Sequence, residues 1–150
     1  MPREIRWPVD AWASFTITLN ALAAAAARQS TLVTNGTNRP RALIFPRIQS
    51  GTAPVAGTIY ECFLLRGDAT NRTDGAGASD AGFTYHNAPL LGSLANDNGG
   101  GNTFYQDIFD TAPLGLLGTE FGVAIRNSTG QALNAASNTC KYALGVAQVQ

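Results

Sequence analysis

From Ala13 to Gln148 the chain follows a period of two, and that periodicity constrains its fold more than any other feature. Stretches such as Arg41–Gln49 (RALIFPRIQ), Thr58–Arg66 (TIYECFLLR) and Phe121–Asn127 (FGVAIRN) place apolar and β-branched residues at alternate positions, as a pleated strand with a buried face requires. The same pattern predicts further strands at Ala13–Leu19, Ser30–Thr34, Gly82–Tyr85, Leu90–Ala95, Thr103–Phe109 and Thr139–Gln148. Turn chemistry separates them: Asn35-Gly36, Ser50-Gly51, Asp74-Gly75, the run NDNGGGN at 96–102, and Thr129-Gly130. Eight or nine short strands at this spacing specify an all-β sandwich or barrel. Pro46 lacks a backbone donor and predicts an edge position or a bulge in its strand.

The five consecutive alanines of Ala23–Ala27 are the exception to the alternation. Alanine favours helix, but an isolated helix under about 12 residues is marginal in water. Leu22–Gln29 also lacks separate apolar and polar faces. Asn20 can cap one or two turns at most. The run therefore reads as a close-packed connector, not as a helix of consequence.

At 150 residues the chain has the length of one domain. Charged residues make up 13%, about half the usual share, which suits a β domain whose surface neighbours will cover. The net charge is zero, so no bulk attraction to nucleic acid or to an anionic membrane is expected. The charges are nonetheless segregated. Residues 1–66 carry seven Arg against three acids, residues 67–110 carry six Asp against Arg72 alone, and the remainder is +1. Such blocks form either a solvated face or complementary surfaces on neighbouring copies. Cys62 and Cys140 lie in apolar runs without metal-ligand spacing, which predicts buried free thiols. With no basic-then-apolar leader and no apolar run of about 18 residues, the expected place of synthesis is a reducing cytoplasm.

The motifs read more simply as structure than as chemistry. Arg66-Gly67-Asp68 is a strand end entering a loop. The glycosylation-type triplets at Asn35, Asn71 and Asn127 coincide with expected turns. Asp68, Asn71, Asp74 and Asp80 offer oxygen ligands, but their spacing fits neither an EF-hand nor a glycine-rich calcium repeat; a mobile acidic surface loop is the expectation, with no metal. His86 is the only histidine and has no nucleophile pattern to serve. The close pair Asp107 and Asp110 is poorly placed to turn both acids inward. No glycine-rich stretch leads into Lys-Ser/Thr as a phosphate loop would. Neither catalysis nor a cofactor is expected.

The first twelve residues, MPREIRWPVDAW, precede the alternation. Pro8 restrains Trp7 to extended conformations, so residues 1–12 read as an extended arm and 13–150 as the sandwich domain. Trp and Arg are favoured where proteins grip partners. Arg3, Arg6 and Trp7 are the candidate contacts, with the acidic Asp68, Asp74 and Asp80 of an adjacent copy as one candidate acceptor and a shell protein as the other. Trp12 is expected to fold back beneath the chain's own sandwich.

LAAAAARQSTLVTNGTN, SGTAPVAGTIYECFLLRGD, FGVAIRNSTGQALNA and the closing KYALGVAQVQ resemble a group of small bacteriophage virion structural proteins. The shared features are an Arg-Gln-Ser strand start, a Gly-Thr-x-Pro turn before a long strand, and an Asn-x-Thr-Gly hairpin, in this order. The likeness covers Phe15 to the C-terminus and omits the first dozen residues and the Asp68–Asp80 loop. It implies a jelly-roll-like sandwich in the virion, a cement or decoration protein on the capsid. The implied partners are the major capsid protein and copies of itself, most simply a homotrimer. Jelly rolls also host lectins, so the alternative is a carbohydrate- or receptor-binding module of a phage tail, distinguished by exposed aromatic platforms.

Overall fold

The structure, a computed structural model, describes residues 5–6, 8–97, 100–145 and 148–149. It is an all-β sandwich. The strands are β1 (Ile5–Arg6), β2 (Ala13–Ser14), β3 (Ala27–Gln29), β4 (Val33–Thr34), β5 (Arg41–Gln49), β6 (Thr58–Gly67), β7 (Ala81–Gly82), β8 (Leu90–Asn96), β9 (Phe104–Gln106), β10 (Phe109–Asp110), β11 (Glu120–Asn127), β12 (Thr139–Gly145) and β13 (Gln148–Val149). Sheet I runs β10-β5-β12-β2, with β9 also on β5; sheet II runs β7-β3-β11-β6-β8, with β4 also on β11. Every strand pairing is antiparallel. The chain changes sheet between β2 and β3, β4 and β5, β5 and β6, β8 and β9, β10 and β11, and β11 and β12.

The long strands fall where the alternation puts them, and the segments outnumber the expected eight or nine because Thr103–Phe109 is split into β9 and β10, Thr139–Gln148 is described as β12 and β13, and β1 and β3 form where no strand was expected. In Phe15–Leu19 the alternation survives without the ladder. Phe15 and Leu19 are buried, but the chain is crossing between sheets, and Thr16 accepts from the Thr31 N–H. Between β3 and β4 the register against β11 slips by one residue. There the Ser30 hydroxyl accepts the Val123 N–H at 3.1 Å in place of a backbone carbonyl. Pro46 is neither at an edge nor in a bulge: β5 is an inner strand, paired with β12 on one side and with β9 and β10 on the other. The neighbour is interrupted instead. β9 and β10 share one register and break at Asp107 and Ile108, opposite Phe45 and Pro46, where β5 has no N–H to offer.

The inter-sheet core is built from Phe15, Leu19, Ile44, Ile48, Tyr60, Leu64, Phe121, Val123 and Ile125 with their neighbours. Phe15, Phe121 and Tyr142 stack at its centre with centroids 4.6–5.9 Å apart. A second core lies on the outer face of sheet II. Phe63, Leu65 and Ala124 are covered there by Ala76, Ala88, Leu32 and Phe83. The segment between β6 and β8 is therefore a docked cover and not the mobile loop expected of its composition: its small apolar residues bury against the sheet. The Asp74 carboxylate fastens it, accepting N–H groups from Asn87 and Ala88 while the Asp74 N–H donates back to the Asn87 Oδ1.

The alanine run forms no helix. It passes through two tight turns with Ala21 and Ala25 at φ 58° and 59°, and Ala27 begins β3. Several of its carbonyls are met by Asn127, a wholly buried residue at the end of β11. The Asn127 Nδ2 donates to the carbonyls of Leu22, Ala23 and Gln131 at 2.7–3.2 Å. Its backbone pairs with Ala25 and Ala26, and its Oδ1 accepts from the Thr129 N–H and hydroxyl. Asn127→Ala strands several buried polar groups at once, each costing about 1–3 kcal/mol. Urea unfolding is expected to register a loss of at least about 2 kcal/mol with an unchanged m-value; a loss under about 0.5 kcal/mol would refute this account.

Candidate interaction surface

Those of the residues singled out in the sequence that the structure describes do not converge on one place in the chain. Arg3 and Trp7 lie outside the described residues. Arg6 lies in β1, whose backbone pairs with β13 in the register Ile5 to Val149 and Arg6 to Gln148. Val9 bridges Gly145, and the Asp10 N–H donates to the Leu144 carbonyl at 2.7 Å. The expected lone arm is thus paired with the C-terminal strand. The pattern of residues 1–12 gave no sign of this, because the partner lies more than 130 residues away.

The acidic residues are separated and are used within the chain. Asp68 is exposed and accepts the N–H groups of Thr70 and Asn71, both at 2.7 Å; the Asn71 N–H first and then that of Thr70 hold its pKa below the usual carboxylate value. At Asp74 burial pushes the pKa up, but the N–H groups of Asn87 and Ala88 outweigh it and the net shift is downward. Asp80 behaves likewise: burial raises its pKa, and Arg28 (Nε at 2.5 Å) and the Thr18 hydroxyl bring it below the ordinary value. Among the described residues no group of three His, Cys, Asp or Glu is placed to hold a metal ion. His86 is exposed on the cover.

The charge segregation is resolved partly inside the molecule. Arg28–Asp80 and Arg41–Asp110 (2.9 Å) join the basic first part of the chain to its acidic middle. Arg72 pairs with Glu120 at 2.9 Å. Arg66 is folded away from solvent-facing roles, its guanidinium donating to the carbonyls of Leu114 and Leu116. Gly67 bridges both Arg72 and Gly118, and a Cβ there would collide with the Asn71 carbonyl. The Arg-Gly-Asp triplet is therefore a close-packed strand end. Hollows of about 430 and 220 Å³ flank the exposed Leu116, lined by Arg66 and Arg72 on one side and by Asn35 and Arg39 on the other. Of the sequon asparagines, Asn35 and Asn127 are buried; the Asn35 Nδ2 donates to the carbonyls of Arg39 and Gly118.

What the structure does assemble is an apolar and cationic surface on the outer face of sheet I. On β5 the buried Ala42, Ile44, Pro46 and Ile48 alternate with Leu43, Phe45 and Arg47, which face outward. Trp12 lies on this face, its ring 5.7 Å from that of Phe45, and stays 41% exposed. It folds back onto the sandwich as expected, but on the outside. The β9–β10 register brings the half-exposed Ile108 beside Phe45, and Lys141 pairs with Phe45 from β12. The Arg47 guanidinium lies 3.6 Å from the centre of the Phe104 ring, a cation–π contact. Sheet II has a cover of its own chain, whereas this face presents aromatic and aliphatic groups between cations. Tyr85 is the other exposed aromatic of note, and it is stacked on Phe63 at 4.7 Å as part of the cover.

Neither a protein-family model nor a curated protein sequence matches this chain.

Two predictions follow from this geometry. A carboxylate with a lowered folded pKa stabilises the fold above its unfolded value, about 3.9, and that contribution is lost as pH falls through the folded value. Asp74→Asn is therefore expected to lower the urea midpoint at pH 7 and to flatten its fall between about pH 5 and pH 2; an unchanged midpoint would show that the bracket carries no weight. Cys62 on β6 and Cys140 on β12 are free thiols buried in the inter-sheet core. Burial pushes Cys62 up to about 12 and raises Cys140, to which the nearby Cys62 adds. A maleimide at pH 7 is expected to leave the native protein unmodified and to label two sites after denaturation, since only the thiolate reacts.

Proposed function

We propose that this chain is a non-enzymatic bacteriophage capsid cement or decoration protein, which stabilises the head by binding across capsid subunits. The observation that supports this most is the outer face of sheet I, where Trp12 and Ile108 lie exposed beside Lys141 and the partly covered Phe45 and Arg47 in a chain that covers its other sheet itself. The resemblance to small virion structural proteins points the same way. Such a protein acts by mass action: binding the assembled shell and not the dispersed subunits shifts the equilibrium toward the shell. Many copies engaged together make modest single contacts durable. In this reading the partners are the major capsid protein and copies of the chain itself. Arg3, Arg6 and Trp7 add to the grip from the N-terminal segment. Of Asp68, Asp74 and Asp80, Asp68 is the one exposed to receive an arginine from a neighbour, because Asp74 and Asp80 are committed internally.

A carbohydrate- or receptor-binding role on a tail is the second reading. The exposed rings of Trp12 and Phe104 favour it, since sugars stack on such platforms.

The test is decoration of heads lacking the protein. Ile108→Asp changes a half-exposed side chain outside the core, and its melting temperature is expected to stay within a few degrees of the parent. Its apparent affinity for heads should fall at least about 10-fold, which corresponds to about 1.4 kcal/mol. Hundreds of copies per virion are expected. A few dozen copies or fewer, with undiminished glycan binding, would move the protein to the tail, and undiminished decoration by Ile108→Asp would remove sheet I as the binding face.

A further inference from the structure

Sheet II ends on a long open edge. β8 is the last strand in its order, seven residues long and paired on one side only, with β6. The other terminal strands are far shorter: β2 and β7 have two residues each, and β9 and β10 have three and two with a break between them. Proteins usually blunt such edges with charge, proline, brevity or a covering segment, because unpaired N–H and C=O groups recruit another strand. Leu90–Asn96 has no charged residue and no proline. Its one protective feature is a register shift opposite Cys62 and Phe63, and from Gly92 to Asn96 it runs in regular pairing with β6. Leu90 is half exposed, and Ser93 and Ala95 are exposed. β9 and β10 of sheet I pack across the sandwich onto β8, the Phe109 ring lying against Gly92 and the Tyr105 hydroxyl donating to the Asn96 Oδ1, but neither pairs with it, and a hollow of about 310 Å³ lies between Ser93–Ala95 and Phe104–Asp107.

We propose that two copies of this chain join β8 to β8, antiparallel about a two-fold axis at Ser93, so that sheet II continues from one subunit into the other. The length of the edge selects the partner. A strand of seven residues needs an edge of similar length to pair with, and within this chain β8 alone supplies one. The absence of charge makes the pairing self-compatible: Ser93 faces Ser93 and Gly92 faces Leu94, with no like charges opposed. The contact is isologous and closes at two subunits, so it generates a dimer and not a fibre. It uses an edge of sheet II and leaves the outer face of sheet I free, so it stands independently of shell binding.

The buried native thiols make the test selective. Residues opposite one another in an antiparallel pair have Cα atoms about 4.5–5.5 Å apart, within the range a disulfide spans. Under mild oxidation Ser93→Cys is expected to form a covalent dimer rapidly, whereas Leu116→Cys, which is 74% exposed and away from the edge, is expected to remain monomeric at the same concentration. Ser93→Lys should keep the parental melting temperature within a few degrees and sediment as a monomer at concentrations where the parent sediments as a dimer. The proposal is overturned if folded Ser93→Cys cross-links no faster than Leu116→Cys, if the parent chain is monomeric up to about 1 mM, or if Ser93→Lys still dimerises. Cross-linking of Ser93→Cys to another virion protein and not to itself would also overturn it, by giving the edge a different occupant.

Discussion

The buried carboxamide of Asn127 is the interaction on which most of the architecture depends. It sits at the end of β11, the strand that pairs with β3, β4 and β6, and it collects carbonyls from the alanine connector and from the Gln131 turn. A connector of alanines has no side chain with which to satisfy its own backbone. Backbone groups that leave water must find partners, and here the Asn127 amide serves the Leu22 and Ala23 carbonyls beside the turn bonds from the Leu133 and Ala26 N–H groups. The two left-handed alanines, each less favourable than glycine at that φ, persist because this network fixes the turns around them. The Asn-x-Thr sequence at 127–129 is thereby explained as hydrogen-bond geometry: the Thr129 hydroxyl and N–H hold the Asn127 oxygen while its nitrogen reaches across.

The two sheets face outward in different ways, and the difference is visible in their strands. β6 holds four consecutive buried residues, Cys62 to Leu65, and β11 five, Phe121 to Ile125. A run apolar at every position is buried on both faces. One face is the inter-sheet core and the other is the cover carried between β6 and β8. β5 alternates strictly instead, so sheet I has only one core face. Its outer face nonetheless carries Leu43, Phe45 and Trp12, and this is the imbalance from which the proposed shell-binding role is drawn.

The charge pattern shows how far a linear reading reaches. Segregated Arg and Asp blocks were expected to lie on a solvated face or between copies. In the fold they meet within one chain at Arg28–Asp80 and Arg41–Asp110. The acidic segment looked mobile because it is rich in Gly, Ala and Asp, yet it docks. Ala76 and Ala88 are small enough to lie close to the sheet, and Asp74 ties the segment's two ends together. Nothing in the local sequence distinguishes a carboxylate that solvates a loop from one that brackets it.

The sequence by itself determined that the chain is all-β, where its long strands run, that Cys62 and Cys140 are buried, and that the alanine run is no helix. These follow from side-chain periodicity and turn chemistry, which are local. Only the tertiary structure decided the strand order, the pairing of the N-terminal segment with β13, the place of Trp12 on an outer face, and the open edge of β8. Each of these is a relation between segments distant along the chain, and it is set by which surfaces remain to be covered once the local elements have formed. The break between β9 and β10 has that origin: it answers a proline some sixty residues earlier on the strand beside it. The candidate surface was illegible for the same reason, because Trp12, Phe45, Phe104 and Ile108 become neighbours only when three separate stretches of chain are laid across one sheet.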